Sequence, residues 1–433
     1  MALNDLVARA VAMIGAGAIL LRRFSGDTPP PAYGGSPVIP EARPQGIPTL
    51  KMPVARGWQD GRTPIAAPGL RVNAFAAGLK HPRMVHVLPN GDVLIAESRS
   101  LGGKPRTAFD IAAHSVMRRA GAMGHSPNRI VLLRDADGDG VAEVQETFIS
   151  GLSQPYGMAL HGSTLYVGNT DATVAFPYEA GQTRITAEPR KLLDTKPGGH
   201  WTRNLILSPD GSKLYVAVGS VGNIAEGGME REEGRACIHE IDLQTGASRI
   251  YASGLRNPVG MAWEPTTGAL WTVVNERDGL GDETPPDYLT SVADGGFYGW
   301  PYCYWGKTVD DRVPQDAAMV AKAIQPDYAL GGHTASLGLC WVPAGTLPGF
   351  PEGMAIGQHG SWNRSKLSGY KLAFVPFANG KPSGPIRDIL TGFLSDDEKD
   401  AYGRPVGVVL GADGKSLLMA DDVGDVIWRV AGA

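Results

Sequence analysis

A two-strand pattern that returns six times constrains the fold of this chain more than any other feature. Each copy has a turn with Pro or Ser, a short apolar run, a turn rich in Pro, Asn, Asp or Gly, and a second apolar run. The copies begin at His81, Gln154, Trp201, Asn257, Ala335 and Arg404. Asn-Gly, Asp-Gly and Thr-Gly turns are typical of β-hairpins, because Asn, Asp and Gly tolerate positive φ. Six hairpins predict six similar sheets.

These hairpins predict an all-β fold, a six-bladed β-propeller with four-stranded antiparallel blades. A closed ring leaves few exposed sheet edges, which suits an all-β chain of 433 residues. The copies are spaced unevenly, so we expect long insertions between strands, mainly at Ser98–Asn128 and Gly306–Gly332. The turns before the first strands should meet at one face, with Arg83, Tyr156, His200, Arg256 and Arg404 as neighbours.

Composition excludes several classes of function. The formal net charge of −4 gives no electrostatic footprint for nucleic acid. No Gly-x-Gly-x-x-Gly opens a strand-helix unit, which argues against a nicotinamide dehydrogenase. The cysteines Cys237, Cys303 and Cys340 form no Cys-x-x-Cys pair, so a cysteine zinc site is not expected. Cys303 and Cys340 either pair in an exported protein or remain free thiols.

The first residues differ from the rest of the chain. Residues 1–26 contain the apolar run Ala10–Leu21 followed by two arginines, which predicts a signal sequence or membrane anchor, with a soluble amphipathic helix as the alternative. We therefore expect a periplasmic protein, either released or tethered to the inner membrane. Residues 27–67 are predicted as a Pro/Gly-rich linker and lead-in, and residues 68–433 as the propeller.

The segment Gly254–Tyr304 carries three motifs in order: Arg-Asn-Pro-x-Gly at 256–260, an acidic loop, and Tyr-Gly-Trp-Pro at 298–301. It resembles the soluble aldose dehydrogenases that use pyrroloquinoline quinone, and among them the sorbosone dehydrogenases. The resemblance extends from about Pro68 onward. It implies oxidation of an aldose or aldehyde by hydride transfer to the quinone, with calcium as a second cofactor. Electrons would pass to an external acceptor, a cytochrome or a membrane quinone.

The resemblance also implies roles for individual residues. His200 would accept the substrate proton, and Arg256 would stabilise the charge that builds on the quinone. The remaining cofactor contacts that it implies would be Asn257, Arg404 and, from the fifth blade, Arg364 in preference to Lys366. Arg83, from the repeat at the same face, and Trp362, whose ring could stack on a planar quinone or a sugar, are further candidate contacts. The relatives have Asp before the catalytic His, whereas this chain has Gly199, so another group must orient the imidazole.

Two acidic stretches are candidates for calcium. The resemblance places a calcium ion at the loop of Glu276, Arg277 and Asp278, through main-chain or side-chain oxygens. A second stretch, with Asp135, Asp137, Asp139 and Glu146, has EF-hand spacing. Its flanks look like strands rather than helices, so it is predicted as a hairpin turn that holds either structural calcium or no ion.

Two other functions fit a six-bladed propeller. A calcium-dependent lactonase would need carboxylate or amide side chains from several blades around one ion, with no quinone. A binding propeller would need no chemistry, because a fold does not dictate function. The predicted rim is rich in Arg and His, which favours the oxidoreductase.

Overall fold

A computed structural model describes residues 32–45, 49–103 and 108–433 and confirms the predicted propeller. Six antiparallel sheets of four strands each form the blades. From the centre outwards, blade 1 consists of Pro82–Val87, Val93–Glu97, Arg129–Arg134 and Val144–Ile149; blade 2 of Met158–His161, Thr164–Gly168, Ala172–Pro177 and Arg190–Asp194; and blade 3 of Arg203–Leu207, Lys213–Val218, Cys237–Asp242 and Ser248–Ser253. Blade 4 consists of Pro258–Glu264, Ala269–Val274, Pro286–Ser291 and Tyr328–Gly332; blade 5 of Ser336–Val342, Gly353–Gln358, Lys371–Ala378 and Arg387–Thr391; and blade 6 of Pro405–Leu410, Ser416–Asp421, Val426–Gly432 and Leu70–Ala77.

The ring closes through strands from the two ends of the propeller domain. The inner strands contact one another in cyclic order, and that of blade 6 contacts that of blade 1. The outer strand of blade 6, Leu70–Ala77, pairs antiparallel with Val426–Gly432. The first and last strands of the domain therefore lie in one sheet, and no blade is left with an open inner edge.

The hydrophobic core lies between the blades. The second strands are almost continuously apolar and buried, as in Val93–Glu97 and Gly353–Gln358. Such runs are expected where both faces of a sheet are covered. At the contact of blades 4 and 5, Trp271 packs edge-on against Phe377 with ring centroids 5.0 Å apart. Each blade is thus stabilised mainly by its two neighbours.

The long insertions carry most of the helical structure. The connection after the second strand of blade 1 holds the helix Ala108–Arg119, and the connection after the third strand of blade 4 holds Ala317–Lys322. Asp316 caps the second helix by accepting from the amides of Ala318 and Met319. A 3-10 turn spans Met229–Glu232 in blade 3. All three cysteines are free, so the disulfide alternative for Cys303 and Cys340 is not realised.

The described part of the lead-in packs on the propeller instead of forming a detached linker. Short strands at Tyr33–Gly34, Val54–Ala55 and Ile65–Ala66 pair with blade 4, with Asp400–Ala401 and with blade 5, respectively. Other two-residue strands are Cys303–Tyr304, Thr308–Val309 and Lys381–Pro382. The predicted N-terminal segment 1–26 lies outside the described residues. Within the described ranges, no helix is both long and apolar enough to cross a bilayer.

Trp58 is the main anchor of the lead-in. Its indole Nε1 donates to Asp421 Oδ2 at 2.6 Å, and its rings pack within 5.4–5.9 Å of Phe393, Tyr402 and Trp428. Replacing Trp58 by Ala removes this packing and leaves a buried carboxylate oxygen with one partner fewer. We expect the free energy of unfolding to fall by about 3 kcal/mol, measured by urea denaturation with circular dichroism.

Val38 provides the matched control, because it lies in the same lead-in and is 85% exposed. Val38→Ala should change the free energy of unfolding by less than about 0.5 kcal/mol. Equal stability of the Trp58→Ala variant and the wild type would show that the lead-in does not stabilise the ring.

Candidate functional site

The candidate site lies at the face of the ring where the inner strands begin, called the upper face here. In an antiparallel hairpin the start of the first strand lies beside the end of the second, as Pro82 lies opposite Glu97. The six hairpins therefore bring two sets of residues to the upper face. The first set surrounds the starts of the inner strands: Arg83, Tyr156, His200, Arg256, Asn257 and Arg404. The second set follows the second strands: Ser98, Asn169, Ser220, Glu276, His359 and Asp422.

His200 is oriented by the main chain of its own blade. Its Nδ1 lies 2.9 Å from the carbonyl oxygen of Ser220 and 3.1 Å from the hydroxyl of the same residue. Because a carbonyl only accepts, Nδ1 carries the proton and Nε2 keeps its lone pair. Nε2 has no hydrogen-bond partner within the described residues. Burial and the charge of Arg256 lower the pKa of His200 to about 3, so Nε2 is an available proton acceptor at neutral pH.

The glycine before His200 explains why no carboxylate orients the imidazole. Gly199 has a φ of 59°, and a Cβ added to it would collide with the main chain of Val221. An aspartate does not fit there unless the backbone moves. The carbonyl of Ser220 takes over the orienting role.

The guanidinium group of Arg256 is fixed by five hydrogen bonds. Nη2 donates to Asn223 Oδ1 at 2.9 Å and to Asp278 Oδ2 at 3.2 Å, and Nε donates to the carbonyl of Asn223 at 3.2 Å. Nη1 reaches the carbonyls of Asn275 and Glu276 at 3.2 and 2.7 Å. Arg256 therefore presents a fixed positive charge beside His200.

Asp278 links Arg256 to a second imidazole. Its Oδ1 accepts from Asn363 Nδ2 at 2.7 Å and lies 3.4 Å from His333 Nδ1. Burial would raise the pKa of Asp278, but the hydrogen bond with His333 and the charge of Arg256 hold it below its usual range. Burial would likewise lower the pKa of His333, but Asp278 raises it. The Asp278 carboxylate is therefore ionised, and its negative charge lies between Arg256 and His333.

Several buried polar atoms at the upper face have no hydrogen-bond partner in the described part of the chain. They include Asn257 Oδ1, Asn363 Oδ1 and Glu276 Oε1. Burial raises the pKa of the Glu276 carboxyl to about 7. An unpaired buried polar atom costs free energy, so such atoms mark places where a polar ligand or water binds.

Asp422 lies between blades 1, 5 and 6 and contacts three basic side chains. Its Oδ2 forms an ion pair with Arg83, lies 2.8 Å from His359 Nε2 and 3.3 Å from His81 Nε2. Burial would raise the pKa of Asp422, but its interactions with His359, His81 and Arg83 hold it well below its usual range. Burial lowers the pKa values of His81 and His359 to about 3 and about 4, so Arg83 is the permanent cation of this cluster.

Two arginines of the first set also lie over aromatic rings. The guanidinium of Arg83 lies 5.8 Å from the ring centroid of Tyr156 and 5.5 Å from that of Trp201, and Arg404 lies 5.2 Å from that of Tyr370. Arg404 donates from Nε and Nη2 to carbonyls of the blade 5 loop at 2.9 and 2.8 Å. Its Nη1 has no partner among the described residues and can bind an anion.

In the fifth blade, Arg364 is buried, forms an ion pair with Glu283 and donates to three carbonyls. Each nitrogen of its guanidinium group thus has a protein partner, and the side chain joins two loops of the protein. Its preference over Lys366 as a cofactor contact stays a prediction. The exposed residues of this loop are Trp362, Ser365 and Lys366, and Trp362 is 37% exposed.

The predicted calcium loop is occupied by guanidinium groups. The carbonyl of Glu276 accepts from Arg256, and the carbonyl of Asp278 accepts from Arg277 Nε and Nη2 at 3.2 and 2.9 Å. Arg277 also forms a buried ion pair with Asp310. Of the oxygens expected to bind a metal ion, the carbonyls of Glu276 and Asp278 therefore accept from arginine, and Arg277 takes part through its guanidinium group.

The second acidic stretch forms a hairpin turn between two strands, as expected. Ligand atoms of Asp135, Asp137, Asp139 and Glu143 lie within 4.8 Å of one another. Glu143, not Glu146, completes the group, because Glu146 lies in the following strand with its side chain exposed. The turn follows the third strand of blade 1, which runs away from the upper face. This group is thus remote from His200.

Ser220, Asn223 and Asp422 are among the residues of the upper face that sequence analysis did not identify. The end of each second strand is the signal that could have found Ser220 and Asp422, because a hairpin returns to the face from which it started. Asn223 has no such signal, since it acts from within an irregular loop.

Comparisons with known proteins agree with this architecture. The model of a family described as TrAA12-like matches residues 126–312 and 305–432. A pyrroloquinoline quinone-dependent pyranose dehydrogenase of Coprinopsis cinerea is 25% identical over 432 residues, covering 84% of this chain and 54% of that protein. The chain thus spans about half the length of that relative.

Two further proteins are similar over most of their length. A pyrroloquinoline quinone-dependent sugar dehydrogenase of Hypocrea jecorina is 23% identical and covers 84% of this chain and 88% of that protein. The solved holo form of the Coprinopsis cinerea pyranose dehydrogenase quinone domain superposes with a TM-score of 0.69 at 21% identity. That structure covers 88% of this chain and 100% of its own, so the fold is shared.

Asp422→Asn tests the charge cluster. The substitution leaves the buried Arg83 without its counterion, so the free energy of unfolding should fall by about 3–5 kcal/mol at pH 7. Because the folded pKa of Asp422 lies below its ordinary value of 3.8, its stabilisation is complete above that pH. The difference between variant and wild type should therefore shrink as the pH falls below 3.8, measured by urea denaturation.

Asp397→Asn is the control, because Asp397 forms an exposed ion pair with Lys399. It should leave the unfolding transition unchanged. A loss of stability in Asp422→Asn that is the same at every pH would contradict the ionised, paired state of Asp422.

Proposed function

Because the chain belongs to the TrAA12-like family, we propose that it is a quinoprotein oxidoreductase that oxidises an aldose or aldehyde with pyrroloquinoline quinone. The observation that carries the proposal is the state of His200, whose Nδ1 donates to the Ser220 carbonyl and whose Nε2 has no partner among the described residues. A neutral imidazole beside a fixed guanidinium is suited to removing a proton while negative charge develops nearby. A binding propeller has no need of such a pair.

The donor groups of the upper face fit an anionic quinone. The donor Arg83 Nε is buried without a partner among the described residues, and one nitrogen of Arg404 is available. Asn257 Oδ1, which can only accept, is also buried without a partner there. Arg404 and Arg83 would hold carboxylates, Asn257 would contact the ring system, and exposed Trp362 and Lys366 would flank it. When bound, pyrroloquinoline quinone supplies the hydride acceptor.

The protein's own residues would act on the substrate as follows. His200 Nε2 accepts the proton of the hydroxyl group on the reacting carbon of a hydrated aldehyde or cyclic hemiacetal. Arg256, held by Asn223 and Asp278, supplies positive potential without having to reorient. The Ser220 carbonyl stabilises the imidazolium that forms, because Nδ1–H continues to donate to it.

The finer parts of the proposal concern substrate, acceptor and location. A sorbosone-like aldehyde is the proposed substrate class, and a cytochrome or membrane quinone is the proposed electron acceptor. Calcium belongs to the proposal only at the hairpin group of Asp135, Asp137, Asp139 and Glu143. A periplasmic location, with or without a membrane tether, rests on the sequence of residues 1–26 and is tested by cell fractionation.

No observation favours the lactonase. In the described ranges, the group of side chains that could hold a metal ion lies at the Asp135 hairpin, away from the upper face. The lactonase needs such a group beside its substrate.

Reconstitution with His200→Ala tests the function. Purified wild-type protein should reduce a dye in the presence of an aldose or aldehyde only after pyrroloquinoline quinone is added. The variant should bind the quinone with similar affinity by calorimetry, while turnover falls by about 10²–10⁴-fold because the general base is lost. A panel of sugars that includes sorbosone then identifies the substrate.

His161→Ala is the matched control, since His161 lies exposed at the end of an inner strand of blade 2. It should retain full turnover. Full turnover in His200→Ala would remove His200 from the mechanism, and a wild-type protein that binds no quinone would refute the proposed function.

The pH profile gives a second test of His200. Since its pKa is lowered to about 3, the imidazole stays in its base form as the pH falls from 8 to 5. The kcat/KM of the reconstituted enzyme should show no acid limb from His200 in this range. An acid limb near pH 6.5 that is lost in His200→Ala would contradict the lowered pKa.

A further inference from the structure

In the loop Asn275–Asp278, the carbonyl oxygens of Asn275, Glu276 and Asp278 accept from arginine side chains. Arg256 Nη1 donates to the carbonyls of Asn275 and Glu276 at 3.2 and 2.7 Å. Arg277 Nε and Nη2 donate to the carbonyl of Asp278 at 3.2 and 2.9 Å. Three of the four carbonyl oxygens of this loop are therefore used by two guanidinium groups of the protein itself.

This arrangement excludes a divalent cation in two ways. Calcium takes six to eight oxygen ligands at about 2.3–2.6 Å, and the carbonyl oxygens of Asn275, Glu276 and Asp278 already accept from nitrogen donors. Arg256 and Arg277 are 5% and 2% exposed, respectively, and a guanidinium group does not lose its proton in proteins. An ion bound to the same oxygens would meet two buried positive charges at short range.

The two guanidinium groups are anchored from outside the loop. Arg277 forms an ion pair with Asp310, whose amide donates to the carbonyl of Tyr302 at 3.0 Å, in the long insertion of blade 4. Asn223, from blade 3, accepts from Arg256 at 2.9 Å and from the amide of Asp278 at 2.8 Å. Segments from two blades thus hold the arginines against the carbonyls, so the contact is part of the folded structure.

We propose that the guanidinium groups of Arg256 and Arg277 take the place of a metal ion at the upper face, so that this protein binds its quinone without a divalent cation. The proposal rests on the proposed function for the identity of the ligand. The ligand class is an anionic quinone whose oxygens face a permanent guanidinium charge. Because that charge belongs to the protein, a chelator cannot remove it.

Calcium binding to the full-length apo-protein gives the first test, and it requires no quinone. Asp137→Asn/Asp139→Asn removes two carboxylates of the exposed hairpin group and leaves the upper face unchanged. After treatment with EGTA and its removal, this variant should bind no calcium in a calorimetric titration. Heat of calcium binding in this variant, with a stoichiometry near one, would overturn the proposal.

Quinone affinity gives the second test, with the same double variant and the wild type. Pyrroloquinoline quinone is titrated by calorimetry once in excess EGTA and once in excess calcium. The two dissociation constants should agree within about threefold, equivalent to less than about 1 kcal/mol. Quinone binding that is more than about tenfold tighter with calcium in the double variant would overturn the proposal.

The outcomes separate this inference from the function. If no quinone binds under either condition, the proposed function fails, while the calcium titration of the apo-protein still decides whether the loop takes an ion. If quinone binds equally in EGTA and in calcium and the double variant binds no calcium, both proposals stand.

Discussion

Burying arginine side chains is the constraint on which the upper face depends. A guanidinium group stays charged inside a protein, so each buried one needs a carboxylate or several carbonyl oxygens. Arg83 with Asp422, Arg277 with Asp310, and Arg364 with Glu283 each join segments that lie far apart in sequence. Breaking one such pair leaves a buried charge uncompensated, which costs more than the pair itself contributes. The loops of the upper face are therefore tied together by electrostatics, while the blades beneath them are held by apolar packing.

The sequence predicts the propeller because its evidence is local. A hairpin is made of neighbouring residues, and its turn chemistry is visible in a short window, so six copies indicate six blades. The partners of the lead-in could not be predicted in the same way. Tyr33–Gly34 and Ile65–Ala66 pair with strands from blades 4 and 5, and nothing in their composition specifies a partner at such a distance. Their Pro/Gly content predicts a linker, and in the structure these segments also form strands that pair with the blades.

The site was predictable to the extent that it depends on side chains next to the hairpins. His200, Arg256, Asn257 and Arg404 lie at the upper face because the repeat places them there. The calcium loop was not predictable, because its carbonyl oxygens exist in every residue and only the fold decides which donor reaches them. Arg364 shows the same limit, since the sequence alone does not reveal that Arg364 forms an ion pair with Glu283 in the folded protein. Glu143 replaces Glu146 because EF-hand spacing assumes a helix, whereas this turn returns as a strand.

The pairing of Leu70–Ala77 with Val426–Gly432 has a consequence for biosynthesis. The first of these strands is translated long before the strand with which it pairs. Because Leu70–Ala77 is the outer strand of blade 6, that blade has all four of its strands only once Val426–Gly432 has been translated. Blade 6 supplies Arg404 and Asp422, so the ring and its upper face can be completed only by a chain that has been synthesised through this strand.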